Sequence, residues 1–253
     1  MKTFKSIIGI LAAIVVVSLS APAQIYTGNG STLWNGAIGN AQLTLADDGT
    51  TVSASLTTGG PLQGNAFVLY LQTGAGGFST TSGFNDNGDQ MRVAISQYGF
   101  DQPGEQSILN FSAGFAPNYA IAMSPASGIS FGGLWQLANG GANSLPYINS
   151  VNLIPTGSDD QGTFTFSFNL ADIGLTPGAG QSFELFGLQV STTGYSSPEA
   201  LGGDVTGASG WGNTQTETAF STYVTTEVVP EPSALAVLGL SGLMTLLAGR
   251  RRK

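Results

Sequence analysis

The chain has 253 residues, no cysteine, no histidine, seven basic residues against fifteen acidic ones and a net charge of −8. These absences exclude thiol nucleophiles, Ser-His-Asp triads, disulfide staples and zinc sites of the usual His/Cys type. Six of the seven cations lie in the two terminal segments, which leaves Arg92 alone against fourteen acids in residues 24–229. That balance excludes nucleic-acid binding and attraction to an anionic membrane surface, both of which need clustered cations.

The first element is a leader. Lys2 and Lys5 precede the apolar stretch SIIGILAAIVVVSLS, and Ala21 and Ala23 supply a small-x-small site. This order predicts a secretory signal peptide, residues 1–23, cut by signal peptidase after Ala23.

Residues 24–224 read as one all-β domain, an antiparallel β-sandwich or jelly roll of about ten short strands with glycine-rich turns. AQLTLADDGTTVSASLTT predicts a hairpin, with Leu43 and Leu45 on one arm, Val52, Ala54 and Leu56 on the other, and Asp47 and Asp48 in the turn. NAFVLYLQT is almost continuously apolar and predicts a central strand buried on both faces. The strands QMRVAISQ, SILNFS, YAIAMS, GLWQLA and YINSVNLI are expected next, then GTFTFSFNL with Phe164, Phe166 and Phe168 on one face. LADIGL is a single helical turn, and QSFELFGLQVSTT and AFSTYVTTEV complete the strands. SSPEALGGDVTGASGWGNTQ is expected as a long flexible loop, and residues 225–232 as a linker.

Three acidic clusters and one aromatic residue are the candidate sites in this domain. FNDNGDQ places Asn85, Asp86, Asn87 and Asp89 around Gly88. Closely spaced oxygens with a glycine bend fit calcium, while the same residue types make polar turns in their own right. Asp47 with Asp48, and Asp159 with Asp160, read as turns. Trp211 sits among glycines and is a candidate for stacking on a sugar, whereas Trp34 and Trp135 lie in strand-like stretches and read as core. A glycosidase would need two carboxylates about 5–5.5 Å or about 6.5–9.5 Å apart, and no acid here sits in a catalytic motif.

The chain ends VPEPSALAVLGLSGLMTLLAGRRRK. Residues 233–249 are uncharged and, at about 1.5 Å per residue, reach roughly 25 Å as a helix, the low end for a bilayer span. Arg250, Arg251, Arg252 and Lys253 are expected to stay in the cytoplasm and stop transfer. Pro230 and Pro232 hold Glu231 in an extended segment just outside that span.

The proline-flanked acid, apolar helix and basic cluster resemble the PEP-CTERM sorting signal. The resemblance implies a Gram-negative bacterium that makes extracellular polysaccharide, an exosortase as partner, removal of the tail, and release to the envelope or matrix. Residues 60–205, with SFNLADIGL before a phenylalanine-rich strand, resemble exported DOMON-like or family-nine carbohydrate-binding-module-like sandwiches, which implies glycan binding. The expected function is a non-enzymatic structural or glycan-associated surface protein that meets extracellular polysaccharide. The alternative is a carbohydrate-active enzyme using a carboxylate pair.

Overall fold

A computed structural model describes residues 22–99, 105–126, 129–158 and 160–226. Ala21, the Pro230–Glu231–Pro232 motif, the apolar run 233–249, the four terminal cations and Asp159 lie outside the described residues. Among the described residues no helix is long and apolar enough to cross a membrane.

The architecture follows from one strand. β4 (Ala66–Gln72) carries apolar side chains at both parities, and every residue from Ala66 to Leu71 is buried. Successive strand side chains point to opposite faces, so β4 needs a covering layer on each side. It pairs with β11 (Ser182–Val190) and β6 (Tyr119–Ala126). β7 (Ile129–Gln136) and β8 (Tyr147–Ser150) extend the sheet past β6. Beyond β11, β12 (Ser196–Leu201) and β15 (Ser221–Val224) pair with different halves of the same edge.

The first covering layer is a second antiparallel sheet, in the order β1 (Gln24–Thr27), β2 (Gln42–Asp47), β3 (Thr51–Thr57), β10 (Gly162–Asn169), β9 (Ile154–Gly157). The expected β2–β3 hairpin forms, with Leu43 opposite Leu56 and Leu45 opposite Ala54. Phe164, Phe166 and Phe168 of β10 face inward, and they meet Phe67, Leu69, Leu71, Ile121 and Phe183 of the central sheet. The two sheets thus make the β-sandwich that the alternating pattern predicts.

The second layer departs from expectation. QMRVAISQ is not a strand but a helix, α1 (Gln90–Ser96). Asp89 decides this: its Oδ1 accepts hydrogen bonds from Met91 N and Arg92 N, both at 2.9 Å, which satisfies two free N–H groups of the first turn. Seven residues are too few for a 3.6-residue period to stand out against β-favouring Val93 and Ile95. Once capped, the helix buries Met91, Ala94 and Ile95 against Val68, Tyr70, Ala120 and Ala122. A small sheet of β13 (Asp204–Gly207), β14 (Thr214–Ala219) and β5 (Ile108–Asn110) completes the layer, and its β14–β5 pair is parallel.

The expected long loop at 196–215 is therefore largely strand. Pro198 is tolerated because β12 is an edge strand. YINSVNLI divides into β8 and β9, which belong to different sheets, and the described residues hold fifteen strands rather than about ten. LADIGL forms the expected single turn, a 3-10 helix at Leu170–Ile173 closed by Gly174 in the left-handed region.

Two measurements test this packing. Phe166→Ala should cost about 3–5 kcal/mol in urea unfolding, because it opens a hole between the sheets; a loss below about 1 kcal/mol would mean that the sheets are not packed there. Burial raises the Tyr26 phenol to about 12. Burial also raises Tyr70 and Tyr223, the latter further because its hydroxyl donates to Asp47. A phenol held above its unfolded value of about 10 stabilises the fold below pH ~10, and that contribution is lost as pH rises through the folded value. Alkaline titration should therefore show these three tyrosines ionising late and together with unfolding, whereas a single transition near pH ~10 would contradict their burial.

Candidate functional site

The acidic loop after β4 holds itself together. Asp86 is fully buried, and its Oδ1 accepts from Gly88 N at 3.0 Å and Asn143 N at 2.7 Å. Its Oδ2 accepts from Leu145 N at 2.8 Å and lies 3.6 Å from Arg92 Nη1. Arg92 also donates through Nε to Asp89 Oδ2 at 2.8 Å and through Nη1 to the Leu145 carbonyl at 2.7 Å. Asn85 Oδ1 accepts from Gly141 N at 2.7 Å, and Asn87 Nδ2 reaches the Gly99 carbonyl at 3.5 Å. The side-chain oxygens of Asn85, Asp86 and Asp89 thus have protein donors, and those of Asn85 and Asp86 bind the loop after β4 to residues 141–145. Among the described residues no three acidic side chains gather where they could hold a metal ion.

Trp211 has a different setting. It lies in the β13–β14 connection, 39% exposed, with its ring edge-on to Tyr195 at 5.4 Å and 72°. Tyr195, in the β11–β12 connection, stacks on Trp34 at 5.6 Å and 25°. Trp34 is not core: it lies in the turn between β1 and β2 and is half-buried, and Leu33 beside it is 78% exposed. Trp135 is buried, 2% exposed, in β7. Three connections, the first more than a hundred and sixty residues before the other two, thus place Trp34, Tyr195 and Trp211 in one surface cluster.

Two features fix that cluster. Glu199 of β12 is fully buried under the Trp34 turn. Its Oε1 accepts from Trp34 N at 2.7 Å and Gly36 N at 2.8 Å, and its Oε2 from Ile38 N at 2.9 Å and Gly39 N at 3.2 Å. Four backbone donors on one carboxylate make a charge-assisted clamp. Gly210 is the second feature: it sits at φ 90°, and a Cβ there would lie 2.2 Å from the Tyr195 ring. The sequence signals Trp211 through its glycine neighbours, but nothing near Glu199 or Tyr195 announces a partner so distant in the chain.

Asp47, Asp48, Asp160 and Glu217 are occupied in similar ways. Asp47 Oδ1 accepts from Gly49 N, and Asp160 Oδ1 from Gly64 N. Hydrogen bonds from Thr51 N and Thr50 N to Asp48 lower its pKa. Glu217 is buried with Oε2 on the Ser112 backbone and hydroxyl. On the outer face of the first sheet, Thr44, Ser53, Ser55, Thr165 and Ser167 line a shallow uncharged groove.

The body of the protein is therefore a two-sheet antiparallel sandwich with an extra covering layer and a surface aromatic cluster. The profile of a known family, described as the PEP-CTERM protein-sorting motif, matches residues 228–253. The chain carries that motif, and the motif marks it as an exported protein sorted by an exosortase. No curated protein matches the chain.

Glu199→Ala leaves four amides without their acceptor, and it should lower stability by at least about 3 kcal/mol in chemical unfolding, given the cost of unsatisfied buried donors. An unchanged midpoint would contradict the clamp. Asp86→Ala should destabilise equally with and without a calcium chelator, and the wild-type melting temperature should not respond to chelation; a chelator-dependent drop would contradict the assignment of these oxygens to protein donors.

Proposed function

We propose that this protein is a non-enzymatic component of the cell surface or extracellular polysaccharide matrix of a Gram-negative, biofilm-forming bacterium, where it binds uncharged glycan. Signal peptidase and an exosortase are its processing partners in this reading, and release from the membrane follows removal of the tail. The observation that carries the binding assignment is the Trp34–Tyr195–Trp211 cluster. Aromatic faces are electron-rich and apolar, and they accept the C–H face of a sugar ring at little entropic cost. Glu199 and Gly210 fix the ring positions before any ligand arrives, which lowers the cost of binding.

Charge selects the ligand class. Arg92 is the only cation among the described residues, and Asp86, Asp89 and the Leu145 carbonyl engage it. An anionic polymer would meet repulsion from the net negative charge of residues 24–229, whereas a neutral one would not. Burial of Glu199 and Glu217 in structural hydrogen bonds supports binding over hydrolysis, because a carboxylate pair must reach the scissile bond from opposite sides.

Two experiments test the reading. On a glycan array the exported protein should bind neutral glycans, and Trp211→Ala should weaken that binding about tenfold, equivalent to about 1.4 kcal/mol, without changing the melting temperature. No bound glycan, or an unaffected variant, would contradict it. Replacing Pro230, Glu231 and Pro232 by alanines should leave the tagged protein in the inner membrane at full size; wild-type-like processing would show that sorting does not read this motif.

A further inference from the structure

A second group of rings lies at the opposite edge of the central sheet. Phe131, Gly133 and Trp135 alternate along β7 and so share a face, and Tyr147 of β8 stands opposite Trp135. The Trp135 ring is edge-on to Tyr147 at 5.5 Å and 70°, and to Phe131 at 6.3 Å and 65°. Trp135 is 2% exposed, whereas its flanking rings are 40% (Phe131) and 46% (Tyr147) exposed. Gly133 makes the arrangement possible: a Cβ there would lie 2.6 Å from Trp135 Cη2 and 3.0 Å from Tyr147 Cε2. The Trp135 Nε1–H is buried and has no hydrogen-bond partner. A buried indole normally finds an acceptor for that hydrogen.

We propose that Phe131 and Tyr147 form a second binding site for neutral glycan, and that the protein is a bivalent cross-linker of polysaccharide chains. The proposal rests on the glycan reading of the Trp34–Tyr195–Trp211 cluster. Patch size argues for sugar over a protein partner. Aromatic residues bury about 150–250 Å² each, so two that are less than half exposed offer roughly 200 Å², a quarter of the ~800 Å² per partner that a stable protein interface needs. That area suits one or two sugar rings. The first cluster sits on the β11–β12 connection, and the sheet order runs β12-β11-β4-β6-β7-β8. At about 4.8 Å per strand the two sites are separated by roughly 15–20 Å, which is more than one sugar ring spans. Two chains, or distant parts of one, can therefore be held at once, and the second contact gains from effective concentration.

The test uses the exported protein with a long-chain neutral glucan and a short oligosaccharide of the same linkage. Calorimetry should give two oligosaccharides per wild-type protein, one of them bound about tenfold more weakly in Trp211→Ala and the other lost in the double variant Phe131→Ala/Tyr147→Ala. Long-chain glucan should form sedimenting networks with wild type, and about tenfold less with either variant. Tyr147→Phe, which keeps the ring, should retain both properties. In Trp34→Phe/Trp211→Phe, Trp135 is the sole tryptophan, and oligosaccharide should shift its emission unless Phe131 and Tyr147 are also removed. One oligosaccharide per wild-type protein, weakened in Trp211→Ala and unchanged in Phe131→Ala/Tyr147→Ala, would overturn the second site while leaving the first intact. No oligosaccharide bound at all would overturn both.

Discussion

The structure depends on a central sheet that is apolar on both faces. β4 cannot leave either face in water: its seven residues put Phe67, Leu69 and Leu71 on one side and Ala66, Val68 and Tyr70 on the other. Hydrophobic burial of about 1.5–3 kcal/mol per large side chain makes a cover on each side the dominant demand. One cover is the regular sheet β1-β2-β3-β10-β9. The other is assembled from pieces: a capped helix, the β5 strand and the β13–β14 hairpin. Because that second layer is irregular, its connections project, and the exposed Trp211 lies on one of them.

The second constraint is charge. A domain with one arginine, engaged by Asp86 and Asp89, cannot pair its other acids with cations, so acids turn to backbone N–H groups. Glu199 gathers four amides, Asp86 gathers three, and Asp89 caps α1. The Glu199 bonds and the Asp86 bonds to Asn143 and Leu145 join segments that have no sheet register in common. The carboxylates thus substitute for the disulfides and ion-pair networks that exported proteins otherwise use. Among the described residues the same economy leaves Arg92 as the sole cation, which fits the proposed uncharged ligand.

Much of the fold was legible because local pattern and tertiary role agree. The β2–β3 hairpin, the doubly buried β4, the phenylalanine face of β10 and the single turn at Leu170–Ile173 all appear in the sequence as they stand in the structure. α1 was not legible, because Val93 and Ile95 favour strand locally and the deciding bond comes from Asp89, one residue outside the helix. β12 and β13 were hidden by glycine and proline, which here mark an edge strand and tight turns. Of the aromatic cluster only Trp211 was visible. Trp34 reads as core until Glu199, more than a hundred and sixty residues away, is seen to hold its turn at the surface. The terminal sorting motif was the most legible feature, since its three parts are adjacent in the chain and need no folding to be read.

Hydrogen exchange on the exported protein, with and without a neutral glucan oligosaccharide, tests the account most directly, because it reports the buried sheet and the surface clusters together. The amides of β4 and β11 should exchange slowest in either state, and the glucan should slow exchange in residues 31–36, 191–195 and 208–213 while leaving β2, β3 and β10 unchanged. Amides of β4 exchanging as fast as those of the edge strands, or a saturating glucan that slows none of these connections, would contradict it.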